Sequence, residues 1–346
     1  MSMRICHMTL YDLPRASASF TAHRARSDSA SMNRKMAQNK QFQPTSIAGL
    51  YPGIVIDNIY SLTDCLDRTA ISNVWKAVNL LTGEEVAMKF SEGKLYIEWL
   101  QNEKDILSAN YHPMFPKALG YGQYGNAQYL VMDIIPGITL RALIKRQERI
   151  PIFKAIEITI QVLYGLNALH QNRKVHRDVK PGNIMTNLGK TWLLDFGLTC
   201  DTGTRQEDGT IVGTPLYMPP EQAQNEEADP GSDIYSAGHV LREMITKDNP
   251  MKCDSNPKDV TQTIDNQINK KLPPIPFETM EERFKVNGDN GLRTKIESLH
   301  HQLNLIIDMM AEKDLKSRLG DVEELVFHLG NLQKAARELF PYEKIL

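Results

Sequence analysis

The sequence predicts an α+β fold in two lobes, a strand-rich N-terminal part followed by a mostly helical C-terminal part. Between about 50 and 135 the text alternates apolar and polar residues around a Thr-Gly turn, as half-buried strands do. From residue 152 onward apolar residues recur at 152, 156, 160, 163 and 166, the period of a long buried helix. "PGI" at 136–138 separates the two regimes, and a crevice between two such lobes is a common place for a small ligand.

Composition narrows the classes. With 346 residues and 41% hydrophobic content, the chain has enough material for a two-lobed domain with real cores. A formal net charge of -2, from 40 basic and 42 acidic residues, gives no electrostatic argument for nucleic acid or a membrane surface as the main partner. The four cysteines Cys6, Cys65, Cys200 and Cys253 form no C-x-x-C pair, so neither a disulfide framework nor a zinc site is indicated, and a reducing compartment is expected. No continuous apolar run approaches the roughly 18 residues that span a bilayer, and the N-terminus lacks an apolar signal-peptide core. The expectation is a chain that neither spans a membrane nor leaves by a signal peptide.

Each element follows in order. Residues 1–46, with "PRASASFTAHRARSDSASMNRK", are rich in Ser, Ala and Arg and read as a disordered basic tail. The strands are "GIVIDNIYSL", "NVWKAVNLLTGEEVAMKF", "KALGYG" and "AQYLVMDII". One helix interrupts them: "KLYIEWLQNEKDILSAN" aligns Tyr96, Trp99, Leu100, Glu103, Ile106 and Leu107 along one stripe. After 138 come "IFKAIEITIQVLYGLNALHQN", a polar and strand-like stretch at 174–200, and helices to the end. The domain is therefore expected at 50–335, with lobes at about 50–135 and 138–335 and an extension at 336–346. Between Pro250 and Leu303 the text is polar and long, and it reads as a solvated loop insertion or a docking place for a partner.

The chemistry-bearing residues lie in this frame. In the strand "EEVAMKF", Val86, Met88 and Phe90 face one way, and Ala87 and Lys89 face the other. A solvent-facing lysine on an edge strand would look the same, so Lys89 gains meaning only from its company. Glu103 is costly in an apolar stripe unless a cation meets it, and Lys89 is the candidate. "VHRDVKPGNIM" at 175–185 is the decisive stretch. It offers Asp178 to accept a hydroxyl proton, Lys180 to offset phosphate charge and Asn183 as a neutral metal ligand, on a Pro-Gly turn that lets them converge. Ten residues beyond Met185, "DFG" ends the strand "TWLLD" and puts Asp195 where a carboxylate can hold Mg²⁺.

Taken together, these motifs resemble the eukaryotic-like (Hanks-type) serine/threonine protein kinases, a bilobal protein-kinase fold, over about residues 54–330. The resemblance implies ATP and Mg²⁺ as cofactors and a protein Ser or Thr hydroxyl as acceptor. It implies that Lys89 contacts the α and β phosphates and pairs with Glu103, that Asp178 orients and deprotonates the acceptor with Lys180 near the γ-phosphate, and that Asn183 and Asp195 hold Mg²⁺. It also makes Met132 the gatekeeper, turns the backbone of Asp133 and Ile135 toward adenine, and sandwiches the ring between Val74, Ala87 and Met185. "GTPLYMPPEQ" resembles the segment that seats the substrate; Arg318 is placed to pair with Glu221, and Asp233 to brace the His176–Arg177 turn. Lys180 and Thr214 favour serine or threonine over tyrosine. Arg177 and Thr210 resemble the arrangement in which a phosphate on the 198–212 loop is received by an arginine. The "PEQ" text and small size resemble bacterial members, including ones injected into host cells, so the expected location is cytoplasmic, in the producing cell or in a host as an effector.

One motif departs from the pattern. The family's G-x-G-x-x-G-x-V loop, counted back fifteen residues from Lys89 to Val74, puts Asp67, Thr69 and Ser72 at the three glycine positions. Without glycine the backbone must stand further from the phosphates, and Asp67 adds a negative charge near a polyanion. The hydroxyls of Thr69 and Ser72, or Arg68, are the substitute donors the sequence offers. A looser lid with weaker nucleotide binding is expected. The other readings are a pseudokinase scaffold, supported by this loop, and a small-molecule phosphotransferase, which would lack "GTPLYMPPEQ".

Overall fold

The computed structural model describes residues 5–7, 46–69, 72–146, 150–205, 210–253, 256, 259–284 and 290–339. It divides into two compact units, one comprising Thr9–Ile97 and Gly120–Val131, the other Met1–Met8, Glu98–Leu119 and Met132–Leu346. The sequence thus places the division a few residues late, at 136–138, and does not foresee that most of the helix after Gly93 belongs with the helical unit.

Strand β1 (Ile5–His7) belongs to the helical unit. The other unit is built on a six-stranded sheet ordered β2-β3-β4-β5-β7-β6, from β2 (Val55–Ile56), β3 (Tyr60–Arg68), β4 (Ser72–Asn79), β5 (Glu85–Glu92), β6 (Ala118–Tyr124) and β7 (Ala127–Asp133). The period of two decides what is buried. Trp75 and Ala77 on β4 and Val86, Met88 and Phe90 on β5 join Leu62, Tyr129 and Val131 in one core, and each fully buried large side chain contributes about 1.5–3 kcal/mol. Trp75 lies opposite Met88 and Ala77 opposite Val86, whereas Val74 lies opposite Lys89 and Lys76 opposite Ala87, so these last four share the face turned away from that core. The described residues of the sheet unit begin slightly before residue 50. Ile47 and Leu50 are core residues, Asn73 Nδ2 donates to Ile47 O (2.8 Å), and Ser46 Oγ donates to Glu92 Oε2 (2.8 Å).

The helical unit contains α1 (Lys94–Ser108) from Glu98 on, then α2 (Leu140–Lys145) and α3 (Ile152–Gln171). A three-stranded sheet orders β11-β10-β8, with β8 (Ile138–Thr139), β10 (Ile184–Asn187) and β11 (Lys190–Leu193), and β9 (Lys174–Val175) pairs with β12 (Cys200–Asp201). Gly137, the glycine of "PGI", has φ +117°, and a Cβ there would come within 2.3 Å of Thr186 O on β10, so no other residue lets β8 approach. Beyond β13 (Ile211–Gly213) run α4 (Pro220–Ala223), α5 (Pro230–Thr246), α6 (Val260–Asn269), α7 (Phe277–Phe284), α8 (Asn290–Met310) and α9 (Val322–Leu339). Asp229 caps α5 by accepting from Gly231 N (2.7 Å), with Pro230 in the first turn. Among the described residues α3 is long and apolar enough to cross a membrane by length and composition; it packs against α5 and α9, with Ile152, Ile156, Leu163 and Leu166 fully buried.

Three expectations change. The described residues of 250–303 are not a solvated loop: they include α6, α7 and most of α8, and Met251, Leu272, Ile275 and Met280 are buried. The apolar residues there are too widely spaced to stand out among charges, yet each falls on the inner face. Within the basic tail, Ile5–His7 forms a strand paired in parallel with β13; a composition averaged over 46 residues hides three residues that can add to an edge. Apart from Ser46, the rest of that tail lies outside the described residues. At the other end α9 continues past 335 with Ala336 buried, so the domain does not stop there.

Candidate active site

The turn after β9 gathers four side chains into one closed hydrogen-bonded set. Lys180 Nζ donates to Asp178 Oδ2 at 2.6 Å and to Thr214 Oγ1 at 2.9 Å. Thr214 Oγ1 donates to Asp178 Oδ1 at 2.7 Å, and Asn183 Nδ2 donates to Asp178 Oδ2 at 2.9 Å and to Asp178 O at 3.0 Å. All four are buried, and Lys180 meets the Asp178 carboxylate as an ion pair in a place where an unpaired charge would be prohibitive. The sequence brings them together because Pro181 and Gly182 turn the chain through a short 3₁₀ segment, Pro181–Asn183.

The backbone of this turn is held from below. Asp233 on α5 accepts from His176 N (Oδ2, 2.9 Å), Arg177 N (Oδ1, 2.9 Å) and His170 Nε2 (Oδ2, 2.8 Å), as the sequence anticipates for the two amides. Burial alone would raise the Asp233 pKa, but the His170 hydrogen bond and the charges of His170 and His176 outweigh it and hold the carboxyl below its ordinary range. Arg177 sits at φ +66°, a left-handed conformation that side chains resist, so it is held by such ties; Asp195 shares that region at φ +63°. Arg177 Nη1 donates to Cys200 Sγ (3.6 Å); burial pushes the Cys200 thiol up, and the nearby guanidinium only partly offsets it. Thr210 is half-buried and immediately precedes β13.

After β11 the chain enters "DFG". Phe196 is fully buried against the rings of Phe115 (4.6 Å between centroids) and His176 (5.1 Å). Asn102 Nδ2 donates to Thr199 O (2.7 Å), Gly197 O (3.1 Å) and Phe196 O (3.2 Å), which joins α1 to this segment. Glu103, the next residue, is 2% exposed, so it does not bend out to solvent. Asn102 was not singled out from the sequence; a mid-helix asparagine beside a buried glutamate was the available signal. Gln222 was missed too: its Nε2 bridges Val212 O (2.7 Å) and Arg177 O (3.0 Å). A Cβ on Gly213, at φ +123°, would come within 2.5 Å of that amide.

The remaining expected residues take these places. Met132 is buried at the end of β7, where Asp133 N donates to Lys117 O (3.1 Å); Ile135 is half-buried beyond it, and Met185 is half-buried on β10, opposite Thr139. Arg318 meets Glu221 through two parallel bonds, Nη1 to Oε1 at 2.6 Å and Nη2 to Oε2 at 3.0 Å, as its spacing suggests.

In the sheet unit, β3 and β4 do form the expected hairpin. Asp67 pairs with Val74, and Val74 pairs with Lys89, so the three form one row across the sheet on the face away from the core, with Ala87 beside them. Asp67 is exposed. Thr69 closes the turn, its N–H donating to Ser72 O (2.9 Å) and its Oγ1 accepting from Ser72 N (2.9 Å). The Thr69 hydroxyl is therefore committed to the turn and is no substitute for a phosphate-binding amide. Arg68 is likewise occupied, its guanidinium 5.8 Å from the centre of the Trp75 ring. The Ser72 hydroxyl is buried without a hydrogen-bond partner among the described residues.

The fold and this set of side chains are those of a protein kinase domain, and the protein kinase domain family matches residues 60–329: the chain belongs to that family. Its relatives include the serine/threonine-protein kinase PknA of Mycobacterium tuberculosis, 31% identical over 65% of this chain and 54% of PknA. A probable serine/threonine-protein kinase of Clostridium perfringens is 29% identical over 82% of this chain and 39% of its own length. PknB of Mycobacterium leprae is 33% identical over 57% and 34% respectively. The match thus spans about half or less of the length of these relatives. They are bacterial, as the "PEQ" text suggests.

Proposed function

We propose that this protein is an ATP-dependent serine/threonine protein kinase. The observation that carries the reading is the Asp178 carboxylate held at both oxygens by Lys180, Asn183 and Thr214. Asp178 accepts the proton of a serine or threonine hydroxyl, and Lys180, already in contact with it, offsets the charge of the phosphoryl group being transferred. The donor set fits Mg²⁺. Asn183 spends its amide N–H groups on Asp178, which leaves its carbonyl oxygen for a hard cation, with the Asp195 carboxylate as the other protein ligand. Asn183 and Asp195 would hold the ion, which would supply charge neutralisation at the phosphates. Within the sheet unit, Lys89 is the residue proposed to contact the α and β phosphates.

A specific observation favours a second reading, a pseudokinase scaffold that binds nucleotide weakly: in the loop without glycine, Asp67 shares a row with Lys89 and the Thr69 hydroxyl is used up. Incubation with Mg-ATP and dephosphorylated casein separates the two. Phosphate incorporated by wild type but not by Asp178→Ala supports the kinase; equal incorporation by both sinks it.

A further inference from the structure

Ile5, Cys6 and His7 run parallel to Ile211, Val212 and Gly213, each opposite its partner. The strand that receives them is fixed to the catalytic turn. Gln222 Nε2 ties Val212 O to Arg177 O, and Thr214, one residue past the last pair, bonds Asp178 Oδ1. Ile211 is anchored in an apolar cluster with Met218, Ala223 and Ile264. β13 is therefore a rigid edge that ends beside the carboxylate an acceptor hydroxyl must reach. A strand edge offers main-chain donors and acceptors to any extended chain, whatever its side chains. Three parallel pairs in a two-stranded sheet are weak on their own, so an occupant there remains exchangeable.

We infer that Ile5–His7 is a displaceable internal occupant of the β13 edge and competes with acceptor polypeptides for it. The inference rests on the kinase reading above. It predicts that the N-terminus raises the KM for a protein acceptor without touching ATP use.

The test compares the full chain, a chain lacking residues 1–8 and Cys6→Pro, in which one strand N–H is removed. With Mg-ATP and dephosphorylated casein, the shortened chain and Cys6→Pro should show a KM for casein lowered at least about threefold, with kcat and the KM for ATP unchanged. A peptide of residues 1–8, added to the shortened chain, should inhibit competitively against casein and not against ATP. An unchanged KM for casein overturns the competition. Amide hydrogen exchange at Ile211–Gly213, which needs no turnover, should quicken in both altered chains; equal exchange in all three overturns the pairing itself. Exchange that quickens while no chain transfers phosphate sinks the kinase reading, and the competition with it, and leaves the strand pairing standing.

Discussion

Thr214 Oγ1 donates to Asp178 Oδ1 at 2.7 Å and at the same time accepts from Lys180 Nζ at 2.9 Å. The hydroxyl thus links the proposed base to the cation while lying in the segment proposed to seat the acceptor. Thr214→Val keeps the shape and removes the link. A hydrogen bond to a charged group is worth about 1.5–3 kcal/mol, so kcat/KM for phosphate transfer should fall at least about tenfold, and Thr214→Ser should stay near wild type. Initial rates with Mg-ATP and casein check this, and wild-type rates in Thr214→Val would show the link to be idle.

Glu221 and Arg318 are 97 residues apart in sequence and form a buried fork. Every guanidinium nitrogen is used: Nε donates to Glu312 O, Nη1 also to Gly231 O and Nη2 also to Lys313 O. Removing one partner strands the other's charge, so Arg318→Ala should cost about 3–5 kcal/mol in urea unfolding. Arg318→Lys should recover only part of it, because a point charge cannot make the fork. A loss below about 1 kcal/mol in Arg318→Ala would contradict this.

What the sequence could and could not reveal follows from the range of each signal. Asp178, Lys180 and Asn183 lie within six residues, and a turn of that length has few ways to arrange them, so their convergence was readable. Asp233 and Arg318 were readable because family spacing supplied partners that distance along the chain conceals. Asn102 and Gln222 were not, since both act on backbone carbonyls, and a carbonyl leaves no mark in the sequence. The helices at 260–284 were misread as a loop because Ile264 and Met280 are isolated among polar residues. There, burial is decided by neighbours, Ala223 of α4 for Ile264 and α8 for α7, and not by local composition.

Asn102 supplies the next test. Its amide serves three carbonyls of Phe196, Gly197 and Thr199, so Asn102→Ala leaves part-buried acceptors unsatisfied, at about 1–3 kcal/mol. The "DFG" segment should loosen. Hydrogen exchange across 196–199 should quicken and kcat should fall, with the KM for the acceptor unchanged. Unaltered exchange there would mean that α1 does not hold the segment.

Asp67, Val74 and Lys89 stand in one row, and neighbouring strands lie about 4.8 Å apart, so the carboxylate is roughly 10 Å from the lysine's position on the sheet. At that range an exposed charge acts weakly but on a polyanion carrying several charges. Asp67→Gly should tighten Mg-ATP binding by about threefold, whereas Thr69→Gly, which breaks the turn, should not tighten it. Calorimetric titration of each variant decides the matter, and unchanged affinity in Asp67→Gly would absolve the aspartate.

His239 gives the pH dependence. It lies fully inside α5's buried face, its ring 4.6 Å from that of Tyr235, with no hydrogen-bond partner for either nitrogen among the described residues. Burial first, then the charges of Lys313, Arg242 and Arg318, push its pKa down to about 3. The unfolded chain takes up the proton near the ordinary value of about 6.5, so the unfolded state binds more protons between about 6.5 and 3. Stability is therefore full above about 6.5 and is lost as pH falls toward 3, by about 1.4 kcal/mol per unit from this group. His239→Leu removes the proton uptake and fills similar space. Between pH 7.5 and 5 it should lose about 2 kcal/mol less than wild type in urea unfolding. Parallel losses in the two proteins would place the acid sensitivity elsewhere, with Asp233 the next group to try, because its lowered pKa likewise gives stability that disappears as pH falls.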